Sequence, residues 1–253
     1  MSLSEIPRIG LLFTSFVELI VVVSALALVI FFLRRWASLD NAMKAYVIFW
    51  LFTCFVWTTS MIRYVLVSFG YENSILEHQL SIVTQIFVFL GGPILFYFVG
   101  IRTLQLKSYA TCMFAVPSLL LTIWSFALLL NPLGVTTPQI NYFSADAVIS
   151  RKLFYIFGAQ ILILLSLLAY DVILHFRIWY QNKILIEKYR ALNSMALIVY
   201  LLLGTIDQSK IFIGWPLVVF RVLYSTSFLF VYVVMSHEDS DNEQYLVIKE
   251  RKN

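Results

Sequence analysis

Three ionisable side chains, Glu18, Arg63 and Arg221, stand inside otherwise apolar runs of this chain. A charge at the centre of a membrane helix costs about 2.5 to 3.5 kcal/mol on insertion scales, so each needs a partner or a function. A glutamate set against two arginines can hold one guanidinium and leave the other for a carboxylate or another small anion. Gln85 and Gln160 occupy two further apolar runs and can add hydrogen bonds to the same ligand. The alternative use is structural: Glu18 pairs with one arginine to fix helix register, while the other reaches backbone carbonyls or snorkels to the interface.

Asp171 and His175 are four residues apart, on one face of a helix, a spacing that suits a proton relay or two metal ligands. No third or fourth ligand is evident and His78 falls at the opposite membrane face, so the pair reads as a helix end near the headgroups beside Arg177. Asp207 and Lys210 invite comparison with retinal proteins, but Lys210 belongs to a short outer loop and the aspartate precedes it by three residues instead of four. There is no Ser-His-Asp arrangement, H-E-x-x-H motif, phosphate-binding glycine loop or CxxC. The chain therefore reads as a non-enzyme without cofactor or metal, and Cys54 and Cys112 as small buried apolar residues within helices.

The elements that must position these side chains follow from composition. Of 253 residues, 61% are hydrophobic and 13% charged, whereas a soluble domain carries about 25% charged residues. The apolar excess falls in blocks long enough to cross a hydrocarbon core of about 30 Å. Six are clear: Gly10 to Leu33, Lys44 to Phe69, Leu80 to Ile101, Ser108 to Leu130, Lys152 to Ile178, and Ile211 to Met235. A seventh, Tyr189 to Gln208, has an apolar core from Met195 to Ile206 between polar flanks; as a re-entrant or interfacial segment it would leave six spans. The expected fold is an all-α polytopic bundle of seven helices over residues 1–235, followed by a short, largely disordered tail, 236–253. Within that tail, Tyr245 to Ile248 is the stretch that can dock on a partner.

Orientation follows from basic residues, which accumulate on the cytoplasmic side. With the N-terminus outside, Arg34, Arg35, Lys44, Arg102, Lys107, Arg177, Lys183, Lys188, Arg190, Lys249, Arg251 and Lys252 lie inside, against Arg8, Arg151, Lys152 and Lys210 outside. Arg34 and Arg35 follow the first block and no A-x-A pattern does, so it is expected to stay as a helix and not be cleaved as a signal peptide. The net charge of +4 then reports contact with anionic headgroups of a cell membrane, not nucleic acid.

In this topology Glu18, Arg63 and Arg221 sit about 9 to 15 Å below the outer boundary. Ser15, Glu18, Val22 and Ala25 share one helix stripe, and Thr59 and Arg63 another. The expectation is an outward-opening polar pocket of Glu18, Arg63, Gln85, Gln160 and Arg221, roofed by Asp207 and the long loop from Asn131 to Arg151. Two arginines against one glutamate make it net positive, suited to a small anion. Gly91 to Pro93 and Pro216 are candidate hinges. Trp36, Trp179 and Trp215 belong to an interfacial belt, while Trp57 and Trp124 are deep enough for a core or a cavity wall.

The stretches GGPILFYFVGIRTL, from Gly91 to Leu104, and AVPSLLLTIWSFALLLNPL, from Ala115 to Leu133, carry a resemblance. The chain resembles the seven-helix sensor region of bacterial membrane histidine kinases and some membrane-bound AraC-type regulators, in helix count over Gly10 to Met235 and in detail over those two stretches. The resemblance implies ligand sensing and carries no fixed catalytic residues. Those proteins continue into an output domain, where this chain has an eighteen-residue tail, so output would pass to a separate cytoplasmic partner. The leading expectation is a sensor for a small anionic ligand. A small-solute transporter, with Asp171 and His175 as an inner polar site, and an accessory subunit of a membrane complex are the alternatives.

Overall fold

The computed structural model describes residues 9–71, 74–131, 134–136, 139–140, 143, 145–146, 148–209 and 215–250. Among them are seven helices long and apolar enough to cross a membrane. They are α1 (Ile9–Leu33), α2 (Asn41–Ser68), α3 (Ser74–Arg102), α4 (Ser108–Leu129), α5 (Arg151–Asn182), α6 (Leu185–Ser209) and α7 (Trp215–Glu250). The chain is an all-α transmembrane bundle. The Tyr189 to Gln208 block lies within a full helix of 25 residues, α6, and is not a re-entrant segment; its polar members Asn193 and Ser194 are buried inside the bundle.

Helix limits differ from the apolar blocks where polar residues join the first turn. Helix α3 begins six residues ahead of its block, taking in Glu77 and His78, because a helix end at the headgroups tolerates charge that the hydrocarbon does not. Helix α7 begins at Trp215, so Pro216 sits in its first turn, where a missing N–H costs nothing, and is not a mid-helix hinge. Pro93 lies inside α3 and Pro117 inside α4. The backbone of α7 continues as helix to Glu250, so the tail, expected to be disordered, is drawn out as a helical extension; its side chains beyond His237 and residues 251–253 lie outside the described residues.

Sequence neighbours pack as antiparallel pairs along most of the chain, and α1 closes the bundle against α7. Helix α3 also meets α5, which leaves α4 at the periphery. Only 22% of the α4 span is buried, against 56% for α7, so α4 faces lipid while α7 is central. Trp124 and Cys112, both on α4, are accordingly exposed on that lipid face, which corrects the readings of Trp124 as a core or cavity-wall residue and of Cys112 as buried. Cys54 is buried, as expected.

Lipid is as apolar as leucine, so aromatic packing and polar contacts hold the middle of the bundle. Trp50, fully buried, meets Tyr200 and Phe228 edge to face with centroids 5.2 and 5.1 Å away. Trp57 meets Tyr224 in the same way at 4.8 Å. Trp179 closes α5 under Lys183 and Lys188, and Trp36 lies under Lys44 between α1 and α2, both at helix ends as an interfacial belt requires.

The α4–α5 connection forms a small hairpin, with β1 (Gln139–Ile140) paired antiparallel to β2 (Ala145–Asp146) and Val135 bridged to Ile149. It reaches across the bundle: Thr14 on α1 donates to the Phe143 carbonyl at 3.0 Å, and β2 rests on α2. Its start depends on Gly134, where a Cβ would lie 2.1 Å from the Leu128 carbonyl oxygen, a backbone atom that cannot yield. Gly134→Ala is expected to cost about 1 to 3 kcal/mol, read as a lower unfolding midpoint in detergent.

Candidate functional site

Arg221 holds four helices together at the end of the bundle that carries the hairpin. Its Nη1 donates to Glu18 Oε1 on α1 at 2.8 Å, and its Nη2 donates to the Tyr64 hydroxyl on α2 at 2.7 Å and lies 3.9 Å from Asp207 Oδ1 on α6. The guanidinium also stacks 4.8 Å above the Tyr64 ring. Ser60 donates to the same Glu18 oxygen at 3.1 Å. Glu18 is 0% and Arg221 2% exposed, so neither is solvated by bulk water and the pair must satisfy itself within the bundle.

Beside this clamp a cavity of about 110 Å³ opens between α2, α3, α5, α6 and α7. That is room for several waters or a small organic molecule. Arg63, Gln85, Gln160 and Arg221, four of the five residues singled out from sequence, line it. Glu18 does not: it stands behind Arg221, on the α1 side. Gln85 Nε2 donates to Gln208 Oε1 at 3.2 Å across the α3–α6 gap, while Gln85 Oε1, buried, has no hydrogen-bond partner among the described residues. Gln160 donates to the Ser118 carbonyl at 3.4 Å, and its amide fits because Gly92 has no side chain; a Cβ there would lie 2.6 Å from Gln160 Oε1. Thus Gly91 and Gly92, read from sequence as a hinge, also make room in the cavity wall.

The charge balance differs from the expectation of a net positive pocket. Asp207 lines the cavity as well as roofing it, so the lining carries one carboxylate and two guanidinium groups. Glu18 behind it cancels the remaining charge, and Glu77 is buried one turn before the lining residue Ser81 on α3. Sequence reasoning also missed Tyr64, Ser60 and Gln208. The available signal was spacing: Ser60 precedes Arg63 by three residues, and Gln208 follows Asp207 at the same helix end.

A second polar cluster lies at the opposite end, between α5 and α6. One nitrogen of His175 is 3.3 Å from Asp171 Oδ1 and the other meets Glu187, while Ser194 donates to Asp171 and Arg190 to Glu187 at 3.2 Å. Glu187, twelve residues on from His175, is the acidic partner the sequence reading lacked. Asp171 and His175 are buried within the helix pair, where the reading placed a helix end near the headgroups beside Arg177. No group of His, Cys, Asp and Glu able to hold a metal occurs among the described residues. Nearby, Tyr46 on α2 donates to Asn193 Oδ1 on α6 at 2.8 Å. Tyr46→Phe leaves that acceptor unpaired and is expected to cost about 1 to 3 kcal/mol, checked by denaturant titration in detergent.

No family model, curated protein or solved structure matches this chain.

Proposed function

We propose that this is a sensor or regulatory protein of the cell membrane, with its N-terminus outside and its C-terminus in the cytoplasm, that binds a small ligand in the cavity and passes its occupancy to a cytoplasmic partner. The observation that carries this reading is that α7 supplies Arg221 and Tyr224 to the cavity and then runs on, as one helix of 36 residues, to Glu250. At 1.5 Å per residue that helix is about 54 Å long, well over the 30 Å of a hydrocarbon core, so it joins the cavity to the far face without an intervening loop. The basic residues support the orientation, since the α1–α2, α3–α4 and α5–α6 turns carry Arg34, Arg35, Lys107 and Lys183, while the hairpin end of α5 carries Arg151 and Lys152. A ligand that favours one packing of α7 shifts the population that a partner meets.

The test is hydrogen exchange by mass spectrometry on the detergent-purified chain, with and without a panel of carboxylates, amines and amino acids at millimolar concentration. A compound that raises the unfolding midpoint is expected to change exchange in residues 236–250 as well, and Arg63→Gln is expected to remove both effects. Binding with no change in the α7 extension, accompanied by uptake into proteoliposomes, would favour the transporter reading. No binding by any compound would favour an accessory subunit.

A further inference from the structure

We infer that the ligand is a slim aromatic amphiphile whose polar head carries both a hydrogen-bond donor and an acceptor; this rests on the cavity being a ligand site. The lining is graded along the helices. At the hairpin end it presents Arg63, Gln85, Asp207 and Gln208; deeper in, it presents Phe49, Phe52, Leu95, Leu164 and Leu201. On α2 alone, Arg63 and Phe49 are 14 residues apart, about 21 Å along the axis. A cavity of about 110 Å³ drawn out along such a wall is narrow, and suits one ring or chain, not a branched body.

The head end is two-sided. Arg63 offers N–H donors to an acceptor such as a carboxylate. Asp207 and the carbonyl of Gln85 offer acceptors, and Gln85 Oε1 is buried without a partner among the described residues, so an N–H or O–H donor placed there satisfies it. Since the carboxylates of Glu18, Asp207 and Glu77 outnumber the two guanidinium groups, a plain anion gains no excess field, whereas a zwitterionic head meets both signs. The walls next to the head are Trp57, Phe87, Tyr200 and Tyr224, whose faces and edges favour an aromatic body. Head at the interface end and ring at hydrocarbon depth is also how such a molecule orients in a bilayer.

The probes are phenylalanine, with a two-sided head and a ring; 3-phenylpropionate and 2-phenylethylamine, each with half the head; glycine and acetate, without the ring; and toluene, without the head. The full chain in mild detergent is expected to show its largest rise in unfolding midpoint with phenylalanine, at least about 3 °C at saturation, and none with glycine, acetate or toluene. Gln85→Leu is expected to abolish the rise and Phe52→Ala to reduce it. Gln85→Glu, which keeps the acceptor, is expected to retain it and serves if Gln85→Leu does not fold. An equal rise with either half-headed compound, or with acetate, glycine or toluene, overturns the ligand class and leaves the site standing. No rise from any probe overturns both.

Discussion

Arg221→Ala is expected to destabilise the bundle by about 3 to 5 kcal/mol, because it strands Glu18 in a site with no solvent exposure. Tyr64 loses its donor and stacking partner in the same step, and the link between α1, α2, α6 and α7 at the hairpin end is cut. Arg221→Lys keeps the charge but gives up the planar fork that serves Glu18 and Tyr64 together, and is expected to recover only part of the loss. The strongest check is a double-mutant cycle with Glu18→Leu and Arg221→Leu, read by unfolding in detergent. The double variant is expected to be more stable than the sum of the single effects implies, by at least about 1 kcal/mol, since an apolar pair removes both buried charges at once. Strict additivity would mean that Glu18 and Arg221 are not energetically coupled.

Asp171→Ala is the second large effect, again about 3 kcal/mol, from the other end of the molecule. Asp171 accepts from Ser194 on α6 and faces His175, whose other nitrogen meets Glu187 near the start of α6. Removing it leaves the imidazole with one carboxylate in place of two and strips Ser194 of its acceptor, inside a buried helix pair. Asp171→Asn keeps an oxygen for Ser194 and is expected to cost less than half as much. Because Asp171 and His175 do not line the cavity, both variants are expected to keep any ligand-induced rise in unfolding midpoint. Loss of that rise in a folded Asp171→Asn protein would show that the two polar clusters communicate.

Much of this architecture was legible because lipid imposes a simple rule: a backbone inside hydrocarbon must be helical, and its outward faces must be apolar. The blocks around Glu18, Arg63 and Arg221 therefore marked their helices, and their similar computed depth placed them at one end of the bundle. Sequence could not say how the helices rotate about their own axes. That rotation decides that Glu18 stands behind Arg221 and outside the cavity, and that Asp207 joins the lining. It also decides that Trp57 lines the cavity while Trp124, equally deep along its helix, faces lipid. Glu187 was missed for a related reason: the turn between α5 and α6 folds it back onto His175, a contact that spacing along one helix does not reveal.

The central claim, a cavity reached from the side of the membrane that carries the hairpin, is tested most directly by cysteine accessibility. In a background with Cys54 and Cys112 replaced by alanine, single cysteines at Ser81 and Thr84, both in the lining, would be treated with a small membrane-impermeant thiol reagent from either side of oriented vesicles. Reaction from the hairpin side alone, slowed by a bound amphiphile, is the expected result. No reaction from the hairpin side, with a control cysteine in the hairpin modified normally, would contradict the claim and leave the polar cluster as a structural clamp.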